Sequence, residues 1–303
     1  MDNTITCSEL KERMAAGAMV VDVMTPEDYA ACHVAGAGSA CIYEMVFLER
    51  IAESVPDRGT ELIVYDASGT TRAAPVARER LVEAGYANVS ILKGGLAGWR
   101  AAGLPVEAED QGGVAEPVLH DDTYRIDVEK SSLEWIGRNL NNRHHGRIDI
   151  REGELVIRGG WPHEGSIVLE MSSITNVDLQ DTEWRDLLIR HLKSDDFFAV
   201  ERFPSASFQL TGWVTQHGVS PGAPNGIATG DLTIRDVTRT ISFPAIVAPQ
   251  ADGGIKAHAA FDIDRTLWNV CYGSGKLFER LGMHLVHDVI SLELFILTSA
   301  DHD

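Results

Sequence analysis

The stretch "DTEWRDLLIRHLKSDDFF" (181–198) sets its own rhythm. Trp184, Leu187, Leu188, His191 and Leu192 fall at i, i+3, i+4, i+7 and i+8, which is one apolar face of a helix over 183–192. On both sides the pattern changes to period two. Leu133 and Trp135, Ile148 and Ile150, Leu155 and Ile157, and Ile167, Leu169 and Met171 alternate with polar or small residues before the helix. Ala206, Phe208 and Leu210, then Ile255, Ala257, Ala259, Phe261 and Ile263, then Ile290, Leu292, Leu294 and Ile296 do so after it. Many short alternating strands and one amphipathic helix predict an all-β antiparallel barrel or sandwich with the helix lying on it. Phe197 and Phe198 follow the helix directly, so they should turn inward at the rim while Asp195 and Asp196 stay in solvent.

This grammar begins near Tyr124. Before it, "VEAEDQGGVAEPVLHDD" (106–122) is acidic, contains Gly112-Gly113 and Pro117, and has no period, as a linker would. Earlier still, strands and helices alternate. "AMVVDV" (18–23), 61–65 and "NVSIL" (88–92) read as buried strands, and 25–31, 72–85 and 96–103 as helices. That alternation predicts an α/β domain with a parallel sheet flanked by helices. The expected domains are therefore 1–108 and 123–303, joined by a linker over 109–122.

Between the strand at 61–65 and the helix that follows lies "YDASGTTRAA" (65–74). A strand, a tight polar turn and a helix form a cradle of backbone N–H groups suited to an anion or a nucleophile. Three stretches around it resemble the rhodanese-like domain family over about residues 4–107: "VVDVMTPEDYAACHVAGA" (20–37), "VYDASGTT" (64–71) and "LKGGLAGWRAAGLPV" (92–106). The resemblance implies sulfur transfer through a cysteine persulfide. Here Asp66 holds the cysteine's place, Met24 stands where the family has arginine, and Cys32 replaces the glycine before His33. A carboxylate cannot accept and release sulfane sulfur. No catalytic residue is expected in the degenerate loop Asp66, Ala67, Ser68, Gly69, Thr70, Thr71 and Arg72. Two alternatives stay open: Asp66 as an aspartyl nucleophile for phosphoryl groups, and a displaced thiol, Cys41 or Cys32, in a sulfur- or redox-handling enzyme. His33 and Trp99 read as structural.

The second half resembles the YceI-like family from about Tyr124 to Thr298. "YRIDVEKSSLEWIG" (124–137), "IRHLKSDDFFAVERFPSASFQL" (189–210) and "GDLTIRDVTRTISFPA" (230–245) bear the likeness. "HHGRIDI" (144–150), "MSSITNVDL" (171–179) and "IDRTLWNVCYGSGKLFERLG" (263–282) mark a subgroup. The resemblance implies a lipocalin-like barrel that in some members holds an isoprenoid or quinone-like chain. A barrel of roughly eight strands is wide enough for one apolar ligand or for a filling of side chains, and both remain open. The candidate ligand-binding residues are Trp135, His145, Leu188, His191, Leu192, Phe197, Phe198, Phe203, Phe208, Ala257 and Ala259. His145, His191 and Asp196 could be imagined around a metal, but no histidine pair has zinc-type helical spacing, and neither metal nor cofactor is expected.

Composition bounds the remaining choices. The 303 residues carry a formal net charge of −19, spread over both halves, which argues against nucleic acid and anionic membranes as partners. No apolar run is long enough to span a bilayer, and the N-terminus lacks a signal-peptide pattern. Cys7, Cys32, Cys41 and Cys271 have no metal-ligand or disulfide-framework spacing. The expectation is a cytoplasmic protein, probed by an apolar small molecule at the barrel and by a protein partner at the first domain.

Overall fold

The structure is a computed structural model that describes residues 3–108 and 117–298. The chain divides into two compact units, Met1–Ala115 and Glu116–Asp303.

The first unit runs β1 (Thr4–Ile5), α1 (Cys7–Ala15), β2 (Met19–Asp22), α2 (Pro26–Ala31), β3 (His33–Val34), β4 (Gly38–Ser39), α3 (Phe47–Ser54), β5 (Leu62–Tyr65), α4 (Ala73–Glu83), β6 (Val89–Leu92), α5 (Gly95–Ala101) and β7 (Val106–Glu107). Its main sheet has the order β1-β6-β5-β2-β4, and every pairing is parallel. All four residues of β5 are buried, as a strand covered on both faces requires. Leu62 and Val64 point into one core with Phe47, Ile51, Ala77 and Leu81. Ile63 and Tyr65 point into the other with Leu10 and Trp99. Helices thus pack on both faces. Thr25 caps α2 by accepting the Asp28 N–H, with Pro26 in the first turn.

The second unit contains β8 (Thr123–Arg125), β9 (Ser132–Arg138), β10 (Arg143–Arg158), β11 (Trp161–Glu170), α6 (Thr182–Lys193), β12 (Ser205–Thr215), β13 (Gly226–Ile234), β14 (Val237–Pro249), β15 (Ile255–Asp264) and β16 (Val289–Leu297). Each strand from β9 to β16 pairs antiparallel with the next, and β16 pairs back onto β9, so eight strands close a barrel. Closure leaves no open edge in the ring. The long β10 makes this possible: Arg143–Ile148 pair with β9, and Asp149–Arg158 pair with β11. The short β8 adds to β10 from outside that ring. Helix α6 lies within the connection from β11 to β12, and Asp181 caps it by accepting the Glu183 and Trp184 N–H groups.

Residues 109–116 of the expected linker lie outside the described residues. The remainder is tied to the barrel. Leu119 packs beside Tyr124 and Ile157, the Ile157 N–H donates to the Asp122 carbonyl at 2.8 Å, and the Gly160 N–H donates to Asp121 at 3.1 Å. Among the described residues no helix is long and apolar enough to cross a membrane.

Candidate functional site: a filled loop and an open lumen

The loop after β5 has the shape its sequence suggests, and its own first side chain occupies it. Asp66 is fully buried. Its Oδ1 accepts the N–H groups of Ser68 (3.2 Å) and Gly69 (2.5 Å). Its Oδ2 accepts the Thr71 hydroxyl (2.7 Å) and the Ala74 N–H (3.5 Å). The Asp66 and Ala67 carbonyls in turn accept the Leu96 and Ala97 N–H groups at the start of α5. This close seat needs glycine at two places. A Cβ on Gly69 would stand 2.5 Å from the Gly94 nitrogen, and one on Gly95 would overlap the Asp66 carbonyl. Ala67, Gly69, Thr70, Thr71 and Arg72 form the exposed outer side, and the Ser68 and Thr70 hydroxyls bond each other at 2.7 Å.

Other residues singled out in this unit pack around the loop and its sheet. His33 is buried, stacks on Tyr29 at 3.8 Å and bonds the Tyr29 carbonyl. The Trp99 indole donates to the Pro105 carbonyl at 2.7 Å. Burial pushes the Asp22 carboxyl above its ordinary range, against the Met24 N–H and Tyr65 hydroxyl that favour its charge. Cys41 is a buried free thiol and Cys32 a half-buried one.

The barrel encloses a cavity of ≈ 510 Å³ at the end where α6 lies. Leu133, Ile148, Leu169, Ile263, Ile290 and Leu292 contribute aliphatic wall, because every second residue of a strand faces inward. The wall runs out to exposed Asn142, Trp184 and His284, which form the rim. Of the expected residues, Trp135, Leu188, His191, Leu192, Phe197, Phe198 and Phe208 line this cavity. Phe197 is buried and Phe198 half-buried, while Asp195 and Asp196 are exposed. His191 meets Phe197 and Tyr272 edge-on, at 4.9 and 4.5 Å.

Four expected residues fall elsewhere. Ala257 and Ala259 line a second cavity of ≈ 80 Å³ further along the lumen. Phe203 sits outside both cavities under the Arg202 guanidinium. His145 lines neither cavity, and its neighbour His144 lines the larger one. Strand alternation is the reason. Ile148 and Ile150 are buried inward residues of β10, and His144 shares their parity. His145 lies 3.5 Å from Asp178 and His191 lies 3.5 Å from Asp196, and among the described residues no three His, Cys, Asp or Glu side chains gather as metal ligands would.

The two cavities share Ile167, Phe208, Phe243 and Leu294 as walls. Phe243 stacks on Phe261 at 4.0 Å and leans on Phe208 at 5.5 Å. These rings partition the lumen.

Two residues that the sequence reading did not single out organise the rim. Arg265 is buried, and its guanidinium donates to the carbonyls of Val270, Tyr272, Val286 and His287, which ties the β15–β16 connection into shape. Burial pulls its pKa down, partly offset by the Asp288 charge. Asp178 accepts the His145 N–H (2.8 Å), the Asn176 amide (2.6 Å) and His144 Nδ1 (2.9 Å). Burial alone would raise the Asp178 carboxyl, but these donors together hold it below its ordinary value.

The YceI-like domain family matches residues 124–296. The chain belongs to the YceI-like family. Residues 6–102 match the rhodanese-like domain. Among curated relatives, an HTH-type transcriptional regulator of Mycobacterium tuberculosis, Rv0324, is 37% identical over 122 residues, 40% of this chain and 49% of that protein. The YibN protein of Escherichia coli K12 is 33% identical over 89 residues, 29% of this chain and 60% of its own length. The chain therefore spans about half to three-fifths of the length of these relatives. Among solved structures, Burkholderia cenocepacia BcnA is similar with a TM-score of 0.45 at 19% identity, over 57% of this chain and 99% of that one. A polyisoprenoid binding domain from Saccharophagus degradans has a TM-score of 0.44 at 14% identity, over 59% and 98%.

Proposed function

We propose that the barrel binds an elongated apolar molecule, such as an isoprenoid or quinone-like chain, to carry or sequester it without chemical change. The observation that supports this reading most is the ≈ 510 Å³ lumen, walled by aliphatic and aromatic side chains and reaching an exposed rim. Protein interiors are normally packed to the density of organic crystals. A void of this size inside a closed barrel is the expected form of a site for a small apolar ligand. The rhodanese-like unit then serves as a docking or regulatory module without sulfur-transfer activity. The support for that half is the Asp66 carboxylate, which takes up the N–H and hydroxyl donors of the loop. The acidic chain and its free thiols fit a cytoplasmic setting with protein and apolar partners in place of nucleic acid.

The test has two arms. Native mass spectrometry of the full chain with farnesol, a short-tailed quinone or oleic acid should detect one bound molecule per chain. Failure of all three to bind overturns the carrier reading. The full chain should also form no thiocyanate from thiosulfate and cyanide. Robust thiocyanate formation, lost on replacing Cys41 or Cys32, would instead support a displaced-cysteine enzyme.

A further inference from the structure

The geometry points to a blind chamber. The molecule held in the barrel is a single chain of sesquiterpene or common fatty-acid length, stopped at its inner end by Phe208, Phe243 and Phe261, and the lumen behind these rings takes no part in holding it. This rests on the carrier reading above and narrows its ligand.

The three rings form one slab. Phe243 on β14 is buried, stacks on Phe261 of β15 with 7° between the ring planes, and meets Phe208 of β12 at 5.5 Å. Strand β13 runs between β12 and β14, so an inward side chain on it would stand in the way of the slab. The inward positions of β13 alternate through buried Ala228, Gly230 and Leu232. Gly230 is the one beside the rings: a Cβ on it would come within 2.4 Å of the Phe208 ring. Its bare backbone lets the ring from β12 lie across β13. The slab thus spans four neighbouring strands, and Ile167 of β11 and Leu294 of β16 join Phe208 and Phe243 in the wall that both cavities share.

Behind the slab the barrel is finished as a packed core. The ladder between β12 and β13 shifts register between Leu210 and Gly212, and Trp213 then packs among the inward residues. Its ring lies so close over Gly226 that a Cβ there would overlap it. What remains is the ≈ 80 Å³ cavity beside Ala228, Ala245, Ala257 and Ala259. At about 30 Å³ for a water-sized group, close to the size of one methylene, ≈ 80 Å³ admits about two or three carbons and ≈ 510 Å³ about seventeen. A long polyprenyl chain exceeds the two together. The larger cavity reaches solvent at the opposite end, at exposed Asn142, Trp184 and His284. A chain that enters there has one way to go, and it ends against the rings. Ala257 and Ala259, whose small side chains read in the sequence as room for a ligand, lie behind that stop.

The experiment measures the affinities of saturated fatty acids from decanoic to docosanoic, by competition with a fluorescent fatty acid below micellar concentrations. It uses the full chain and its Ala259→Leu variant, in which leucine takes up space behind the rings and leaves the chamber in front of them untouched. In the wild-type protein each two added carbons should tighten binding roughly tenfold. The gain should stop near hexadecanoic acid, where the chain meets the rings. The variant should give the same curve, and equal binding of decanoic acid shows that its chamber is intact. Affinity that keeps rising through docosanoic acid, or a loss confined to the longer acids in the variant, overturns the blind chamber while the carrier reading stands. Should the variant not fold, the wild-type curve decides by itself. If the wild-type protein binds neither the fluorescent acid nor farnesol, the carrier reading itself falls, and the blind chamber with it.

Discussion

The loop at 66–72 and the barrel lumen are both concave and both lined by groups that could receive a ligand, yet they are finished in opposite ways. In the loop, one buried carboxylate accepts two N–H groups at close range, a hydroxyl, and a more distant third N–H. In the lumen, ≈ 510 Å³ stays unfilled. A site that satisfies its own polar groups gains stability and loses its ligand. A site that leaves its apolar walls apart keeps contacts open that a ligand can supply. The difference is between a loop that pairs its own donors and a lumen with room for a ligand.

The comparison can be broken most forcefully inside the barrel. Phe243→Ala removes the ring that stands between the two cavities and touches both Phe208 and Phe261. Its cost should be about 3–5 kcal/mol of unfolding free energy in urea titrations, the range for a buried phenylalanine cut to alanine. If the ring ends the ligand chamber, the same variant should shift the preferred chain length upward in a fatty-acid series. An unchanged length preference would show that the chamber ends elsewhere.

In the loop, Asp66→Ala should cost about 3 kcal/mol, because a fully buried carboxylate that accepts four hydrogen bonds is lost at once. Hydrogen exchange of the Ser68, Gly69 and Ala74 amides measures this locally and should speed up strongly. Exchange that stays as slow as in the wild-type protein would mean that the carboxylate is not what holds the loop. Ligand addition should then act on the other region alone. At a hundredfold excess over its dissociation constant, a long-chain ligand should stabilise the barrel by roughly 2.7 kcal/mol. Exchange should slow in β9, β10 and β16 and stay unchanged in the loop amides. Equal slowing in both regions would contradict the contrast between a filled and an open site.

The two regions also differed in how far their residues could be read in advance. The architecture was legible because it rests on periodicity: the fully buried β5 and the alternating β9, β10 and β15 follow directly from where apolar residues recur. The short helices α1 and α3 went unnoticed, since few of their residues face a core: Leu10 in the first, Phe47 and Ile51 in the second. The hydrogen bonds of Asp66 are local, since every partner lies within eight residues of it along the chain. His145 was chosen over His144 although the parity of Ile148 and Ile150 already selects His144 for the inner face. The apolar helix face at 184–192 is covered only in part: Trp184 is 63% exposed and Leu187 44% exposed. Helical spacing tells which residues share a face, and only the barrel's curvature tells how much of that face it covers.

The smallest expected effect concerns the rim of the lumen. Asp178 is held below its ordinary carboxyl value by donors from His145, His144 and Asn176, which outweigh its burial. A carboxyl whose folded pKa is depressed contributes stability that is fully present above its unfolded value, near 3.8. That contribution is lost as pH falls through the lower folded value. Asp178→Asn keeps the shape and removes the charge, so it should cost about 1 kcal/mol at neutral pH. The difference between variant and wild-type protein should shrink toward zero in acid, as the wild-type carboxyl becomes protonated and neutral like the amide. Urea unfolding at a series of pH values measures it. A difference that is constant down to strongly acid pH would mean that the charge contributes nothing and the hydrogen-bond shape alone matters.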